Sequence, residues 1–328
     1  MGNCALLADG GVVCFGYYYQ HPGSLPYRRI ALAEKTKQLS CGGQNTCVID
    51  AKDRVFCWFA SNPVTEISLP ADNPPIRIAS GLGNNGCALL SDHTVSCWTN
   101  TGIPTPVLLP GPAALVVAGI DDYCARLTAD AGSKIYCWGN AQFGTVGDPV
   151  ASEVRAPQLI TVPAPDPASG IDLERSLSGG QAYDCALGGM GDVYCWGSND
   201  GVLGVSSGVL PVSTAPRPVG LGWSDYYGQV LPGALAVSLS STAGPDECAV
   251  TQSGSVECWG ASYFGGAGRP AVQVLDDAFR VSSSGANGFV MLNSGAVISW
   301  GVDDYSEAGR EDIVNTPEPC CGKLDEVE

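Results

Sequence analysis

Twelve of the 15 cysteines in this chain fall into six pairs at short, nearly fixed spacing. The pairs are Cys4/Cys14, Cys47/Cys57, Cys87/Cys97, Cys124/Cys137, Cys185/Cys195 and Cys248/Cys258. Zinc-binding cysteines come in CxxC-like clusters, a pattern this spacing does not match. Thiols that face one another on neighbouring strands form disulfides instead. Each bridge would close a loop of about 11 residues, worth on the order of 2–3 kcal/mol through the entropy of the unfolded chain. Such bonds persist outside the reducing cytosol. Cys41, Cys320 and Cys321 are left over. Three thiols cannot all pair within one chain. Cys41 bonds one of the others, the two neighbours bridge, or a thiol stays free or bonds a second molecule.

Other reactive residues are sparse. There are two histidines: His21 in a Tyr-Gln-His-Pro loop and His93 in a tight turn. No GxSxG and no P-loop occurs. The acid pairs Asp121-Asp122, Asp276-Asp277 and Asp303-Asp304 sit outside any calcium-loop pattern. Adjacent residues on a strand also point to opposite faces. They read as solvated turns. The expectation is no catalytic residue, no metal site, no cofactor and no enzyme.

The cysteines bracket a repeated phrase. It reads CALLADGGVVCFG from Cys4, CVIDAKDRVFCWF from Cys47, CALLSDHTVSCWT from Cys87 and CARLTADAGSKIYCWG from Cys124. It recurs as CALGGMGDVYCWG from Cys185, CAVTQSGSVECWG from Cys248 and, without cysteines, FVMLNSGAVISWG from Phe289. Each copy predicts strand, tight turn, strand. Six copies leave a three-residue loop, whose last residue must be left-handed. That residue is Gly10, Asp53, His93, Gly191, Gly254 or Gly295. Asp and His tolerate positive φ better than most residues. Counting out from the loop puts each cysteine opposite its partner in a non-hydrogen-bonded pair, with Cα atoms about 4.5 Å apart. The Cys124/Cys137 copy is longer and its loop is not fixed by this count.

The closing aromatics are Phe15, Trp58, Trp98, Trp138, Trp196, Trp259 and Trp300, spaced by 43, 40, 40, 58, 63 and 41 residues. Passing from Trp300 through both termini to Phe15 takes another 43. A repeat of this length means a propeller or solenoid. A chain that starts and stops within one repeat suits a closed ring, which leaves no strand edge exposed. The expected fold is an all-β, seven-bladed propeller. Residues 323–328 would supply the inner strand of the blade that holds the 4–15 hairpin. It is read as a single domain, 1–328, with hairpins at 4–15, 47–58, 87–98, 124–138, 185–196, 248–259 and 289–300. Two segments exceed the period, near 155–172 and 205–235. The first contains the Pro-rich TVPAPDPASG of residues 161–170, read as a stiff surface loop.

The 43 glycines, 23 prolines and 15% charged residues suit many short strands joined by turns. No stretch approaches a membrane-spanning helix. The N-terminus lacks the basic and apolar regions of a signal peptide, and Met1 is read as a start that replaces a removed leader. The net charge is −17. Nucleic-acid binding needs a basic surface, and Tyr27-Arg28-Arg29 is the densest basic spot. A partner with a basic surface is favoured.

The copies ending CWGNAQFGTVGD, CWGSNDGVLG and CWGASYFGGAG resemble the repeat of the regulator-of-chromosome-condensation family. That repeat follows an A-L…D-G-x-V-x-C/A-W-G hairpin with W-G-x-N-x-x-G-Q-L-G. The resemblance covers essentially the whole chain and is nearest to cysteine-rich, exported bacterial members. It implies a seven-bladed propeller. Where family blades usually place a His before the hairpin, this chain has Asn45, Asn85, Asp122, Tyr183, Asp246 and Asn287. The insertion that nucleotide-exchange members use has no counterpart, so guanine nucleotide exchange is not expected.

The loops after the closing aromatics project from one face of a ring. They carry Tyr17, Tyr18, Tyr19, Phe143, Tyr263, Phe264, Asp303, Asp304 and Tyr305. Phe143, Phe264 and Tyr305 hold places where the family packs an aromatic against the next blade. The second insertion carries Trp223, Tyr226 and Tyr227, a cluster of hot-spot residue types. Tyr17, Tyr18, Tyr19, Trp223, Tyr226, Tyr227, Tyr263, Asp303, Asp304 and Tyr305 are therefore the candidate partner-binding residues. The functional expectation is a disulfide-stabilised protein-binding module outside the cytosol: extracellular, periplasmic or at the cell surface. A carbohydrate-binding or adhesive module and a structural subunit are the alternatives.

Overall fold

The computed structural model describes residues 2–16, 27–42, 45–59, 62–81, 85–99, 102–119, 121–148, 153–180, 182–199, 202–203, 210–219, 236–239, 246–260, 277–283, 287–301 and 314–319. Within these the chain is almost entirely strand. β1 (Gly2–Leu6), β2 (Val12–Gly16) and β3 (Tyr27–Ile30) form an N-terminal sheet. The next sheets are β4 (Thr36–Gly42), β5 (Asn45–Asp50), β6 (Val55–Phe59), β7 (Thr65–Ile67), then β8 (Pro75–Ser80), β9 (Gly86–Leu90), β10 (Val95–Trp98), β11 (Thr105–Val107). They are followed by β12 (Ala113–Ala118), β13 (Asp122–Leu127), β14 (Ile135–Asn140), β15 (Glu153–Ile160), and by β16 (Leu177–Gly179), β17 (Tyr183–Gly188), β18 (Asp192–Ser198), β19 (Val212–Val219). The last two are β20 (Ala236–Leu239), β21 (Asp246–Thr251), β22 (Val256–Gly260) and β23 (Ala278–Ser283), β24 (Asn287–Leu292), β25 (Val297–Gly301), β26 (Val314–Pro319). Each sheet is antiparallel in chain order, which is the architecture of a β-propeller.

Six sheets begin with an inner strand of their own: β4, β8, β12, β16, β20 and β23. The N-terminal sheet does not. The count is six blades and one three-stranded N-terminal sheet, which corrects the expected seven-bladed ring. The sequence repeat displays the hairpin, whereas a blade also needs a strand on its inner side. For the N-terminal hairpin that strand was expected from residues 323–328, which lie outside the described residues. β26 pairs only with β25, as an outer strand. The termini do not pair with one another among the described residues. The N-terminal sheet instead meets the last blade by side-chain packing, with Phe15 edge-on to Phe289 at a centroid distance of 6.1 Å.

Local chemistry explains the hairpins. Gly10, Asp53, His93, Gly254 and Gly295 close their loops at φ 86°, 61°, 66°, 81° and 85°, and Gly191 at 124°. The longer Cys124/Cys137 loop makes a short 3-10 turn over Ala129–Ala131 and returns through Gly132 and Ser133, both at positive φ. The registers put Cys4 opposite Cys14, Cys47 opposite Cys57 and Cys87 opposite Cys97. They likewise pair Cys124 with Cys137, Cys185 with Cys195 and Cys248 with Cys258. All six disulfides form, with Cα atoms 4.0–4.1 Å apart. Ten of these twelve cysteines are buried, Cys57 and Cys258 among them at 7% and 5% exposure; Cys4 and Cys97 are half-buried. The bridges are thus mostly part of the packing between sheets. Among the described residues Cys41 is a free, exposed thiol; Cys320 and Cys321 lie outside them.

The core is a set of seams between sheets. The closing tryptophans pack on the sheet before them: Trp98 on Cys47, Ile49, Val55 and Cys57, Trp138 on Leu89 and Val95, Trp196 on Cys124 and Ile135 among the described side chains. Cys248 and Cys258 pack in the same way with Val281 and Val290 of the last blade. One seam is polar. Arg126 is fully buried and donates to the carbonyls of Ser133, Ser176 and Leu187 at 3.3, 3.2 and 2.6 Å, the last two on the following blade. Burial lowers its guanidinium to about 10. Sister hairpins place Ile49, Leu89 and Leu187 at this position. Arg126→Ala should cost roughly 3 kcal/mol, because charge-assisted bonds are lost and two carbonyls are stranded. The urea midpoint checks this, and a change below about 1 kcal/mol would mean that water replaces the side chain.

The first insertion is largely exposed. Its extra residues follow β15 and lie along the hairpin turns, with Pro165 bridged to Gly189 and the Asp166 N–H donating to the Gly189 carbonyl at 2.8 Å. A second 3-10 turn, Leu173–Arg175, then reaches across the inner strands. Arg77 of β8 pairs with Glu174 and donates to its carbonyl at 2.7 Å, while Arg175 donates to the Phe279 carbonyl of β23 at 3.2 Å. The segment is a latch on the hairpin-turn end of the ring, away from the loops that follow the tryptophans.

Candidate binding cleft

The loops that follow the tryptophans decide where this fold is open. After Trp138 the residues GNAQFGTVG make a compact wedge, with Gly139, Gly144 and Gly147 at φ 111°, 79° and 78°. A side chain at Gly139 would meet the Asp121 carbonyl at 2.4 Å, so the tight exit from the strand demands glycine. The wedge buries Ala141 and Val146 in the seam and offers the Thr145 carbonyl to Trp196 Nε1 of the next blade, at 2.6 Å. After Trp196 the pattern repeats: Val202 and Leu203 are buried, and the Val202 carbonyl accepts from Trp259 Nε1 at 3.1 Å. A wedge from each of these blades caps the next tryptophan.

The blades ending CWF and CWT lack the glycine and the wedge. The consequence shows at once. The buried indole N–H of Trp98 has no partner among the described residues. Beyond Trp98 the chain turns back through Gly102, whose N–H donates to Thr99 O at 2.7 Å, and enters β11 directly. In place of a wedge there is an open cleft of about 1190 Å³. β15 and β19 correspond residue for residue, since Val154 and Ser213 stand opposite Gly139 and Gly197. Gly144 of the wedge touches Val212 and Thr214 of β19. Ala156 and Pro157, further along β15, line the cleft.

The lining is apolar with a few polar groups at one end. Tyr123 and Trp138 stack at 6.0 Å with an angle of 23° and form one wall. Ile103 and Leu108, 69% and 87% exposed, stand on the other side. Both aliphatic side chains are left to solvent beside the cavity. At the polar end Asn85 donates to Asp121 Oδ1 at 2.7 Å, and the buried Asn85 Oδ1 has no partner among the described residues. Among the described residues Asp121 is the only charged one in the lining. The lining runs from Thr99 and Ile103 at the loop end along β11 to Val107 and Leu108. The candidate binding residues Tyr17, Tyr18, Tyr19, Trp223, Tyr226, Tyr227, Tyr263, Asp303, Asp304 and Tyr305 lie outside the described residues, as do Phe264 and Asp276. Phe143 is half-buried.

Behind the loop face runs a polar belt that the sequence reading missed. Asn45 Nδ2 donates to the Asn85 carbonyl at 3.0 Å, which carries the belt to Asp121. Asp122 was read as a solvated turn; it is 2% exposed, with Asp184 at 1% and Glu247 fully buried. Burial pushes Asp122 up to about 7, moderated by bonds from Thr145 and Asp184. Burial, repulsion from Asp122, the bond to Asp122 and nearby Glu247 push Asp184 well above the usual carboxylate range. Both carboxyls are thus pushed toward the neutral form. Ser178 Oγ donates to Glu247 at 2.8 Å. The available signal was the recurrence of Asn or Asp just before the hairpins, at Asn45, Asn85 and Asp122. Asp184 also lies 3.5 Å from Cys124 Sγ, beside Cys137. Disulfide sulfurs are not thiolates, so the bonded pair offers no metal ligands.

No protein-family model matches the chain. Solved structures do. Prp20p from Saccharomyces cerevisiae, the yeast RCC1, superposes with a TM-score of 0.72 at 15% identity, over 98% of this chain and 88% of that one. Human WBSCR16 gives 0.71 at 14% identity, over 90% and 84%. The ectodomain of the Physcomitrella patens receptor kinase CR4 gives 0.58 at 18% identity, over 92% and 70%. At these identities the likeness is one of fold, an RCC1-like β-propeller.

Proposed function

We propose that this chain is a non-enzymatic protein-binding module that works outside the cytosol, at the cell surface, in a periplasm or extracellularly. The observation that carries the reading is the cleft at the blade without a wedge, with exposed Ile103 and Leu108 at its rim. A rigid scaffold that displays an apolar site among polar surroundings suits protein recognition. Six disulfides favour an oxidising compartment. Among the structural neighbours, Prp20p is described with binding properties to Gsp1p and histones, and the CR4 chain is a receptor ectodomain. The net charge of −17 favours a partner with a basic surface and disfavours nucleic acid. The cleft aromatics do not favour a glycan: Trp98, Tyr123 and Trp138 are 1%, 7% and 6% exposed, leaving no ring face for a sugar to stack on.

The test is capture of extracellular proteins from the source on the immobilised, oxidised chain, followed by a binding curve with each purified candidate. A saturable protein partner is expected. The double variant Ile103→Asp, Leu108→Asp should bind it at least ~10-fold more weakly, because charge at the rim opposes desolvation, and should melt as the parent does. Binding to a glycan array with no saturable protein partner would overturn the reading.

A further inference from the structure

We propose that the cleft between the β8–β11 and β12–β15 blades is a receptor for a glycine-bracketed aliphatic turn from a partner protein. The turn would take the place of the wedge that this blade lacks. The inference rests on the protein-binding reading and names the occupant of that site.

The chain itself shows what fits. At the next two seams the space is filled by a short turn with an aliphatic side chain at its centre, Val146 in one and Val202 with Leu203 in the other. Gly144 and Gly147 let the first turn lie against the neighbouring outer strand. One wall of the cleft repeats those surroundings: Trp138 stands where Trp196 and Trp259 stand, beside β15, the outer strand that corresponds to β19. Among the described residues no carbonyl accepts from Trp138, whereas Trp196 and Trp259 receive theirs from a wedge. A partner turn would bring an aliphatic side chain and a backbone carbonyl to that wall. At the polar end, the unpartnered Asn85 Oδ1 calls for a donor and the Asp121 carboxylate for positive charge. The occupant is therefore an uncharged Gly-x-Val/Leu-Gly turn flanked by Lys or Arg, which also complements the chain's net charge of −17.

The probe is a cyclic peptide carrying the chain's own wedge, residues 139–148, with one Lys added on each flank, titrated by fluorescence polarisation. Saturable binding is expected, with a Kd near ~100 µM. The same peptide with the Val146→Asp change should bind at least ~10-fold more weakly. So should an Ala156→Trp variant of the protein, which fills the cleft from an exposed position, and a graft of residues 139–147 in place of 99–102. Equal melting of the Ala156→Trp variant and the parent separates a blocked cleft from a misfolded one. No saturable binding, or equal binding by the Asp peptide, overturns the inference. A purified protein partner that binds the Ala156→Trp variant and the parent alike also overturns it, while leaving the broader protein-binding reading intact. If the peptide binds but no protein partner exists, the broader reading falls and the inference falls with it.

Discussion

Reduction of the six disulfides is expected to unfold this ring at ambient temperature. Five bonds span 10 residues and one spans 13. Each removes on the order of 3 kcal/mol of loop entropy from the unfolded chain. Together they match or exceed the roughly 5–15 kcal/mol by which a typical domain is stable. The bonds also sit in the seams: Cys14, Cys47, Cys87, Cys124, Cys137, Cys185, Cys195 and Cys248 have no exposed surface, and Cys57 and Cys258 have little. Four of the six bonds have both cysteines buried and need local opening before a reductant reaches them, so their reduction in buffer should be slow and should accelerate sharply in mild denaturant, whereas the bonds of half-buried Cys4 and Cys97 should go first. Circular dichroism melts of the oxidised and the fully reduced, alkylated protein test the expectation. A loss of tens of degrees is expected, and a reduced protein that melts within a few degrees of the oxidised one would refute it. The hairpin that holds Phe289 and Ser299 where the others hold cysteines still pairs in full register. The strands therefore do not need the bond to find one another; the bond keeps the unfolded state expensive.

What could be read in advance follows from how local the causes are. The hairpins were legible because turn residues, cysteine spacing and strand alternation all act within about fifteen residues of one another. His93 shows this: an odd residue for a turn end, placed there from the count alone, and found at φ 66°. Blade completion was not legible in the same way, since the inner strand of the N-terminal sheet depends on what the far end of the chain does. The cleft was half legible. The missing glycine after Trp58 and Trp98 was visible, and so were the short loops. That their shortness would leave an open site needed the knowledge that each wedge packs on the following blade. Asp122 and Asp184 failed for a related reason. They are 62 residues apart and meet only across a seam, so no local pattern could distinguish a buried acid pair from a solvated turn.

The upward shift of this buried acid pair sets the second large effect: the protein should be more stable near pH 5 than near pH 8. Carboxylates whose folded pKa is raised bind more protons folded than unfolded, and stability then falls as pH rises above the unfolded value near 4 until the folded pKa is passed. For Asp122 that window runs from the ordinary 3.8 to about 7. Its width corresponds to on the order of 4 kcal/mol. Asp184 shifts in the same direction, through burial and then the charge of Asp122. Below the window the opposite limb takes over. Bonds to Asp92 from Thr94 and Asn73 hold its carboxyl below the usual range, and for Asp50 bonds from Arg54 and the Lys52 backbone outweigh burial. Depressed carboxyls contribute stability that is lost as pH falls through their folded pKa, so the optimum lies between the two limbs. Denaturant midpoints from pH 4 to 9 trace the curve. Asp184→Asn keeps an N–H to donate to Asp122 without borrowing a proton. It should raise the melting temperature at pH 8 by on the order of 5 °C and flatten the slope between pH 5 and 7, with little change at pH 5. If the variant kept the parent's slope, the decline toward pH 8 would belong to general repulsion at a net charge of −17 rather than to this pair. A variant less stable than the parent at pH 8 would mean that both acids are ionised in the fold and held by partners other than one another.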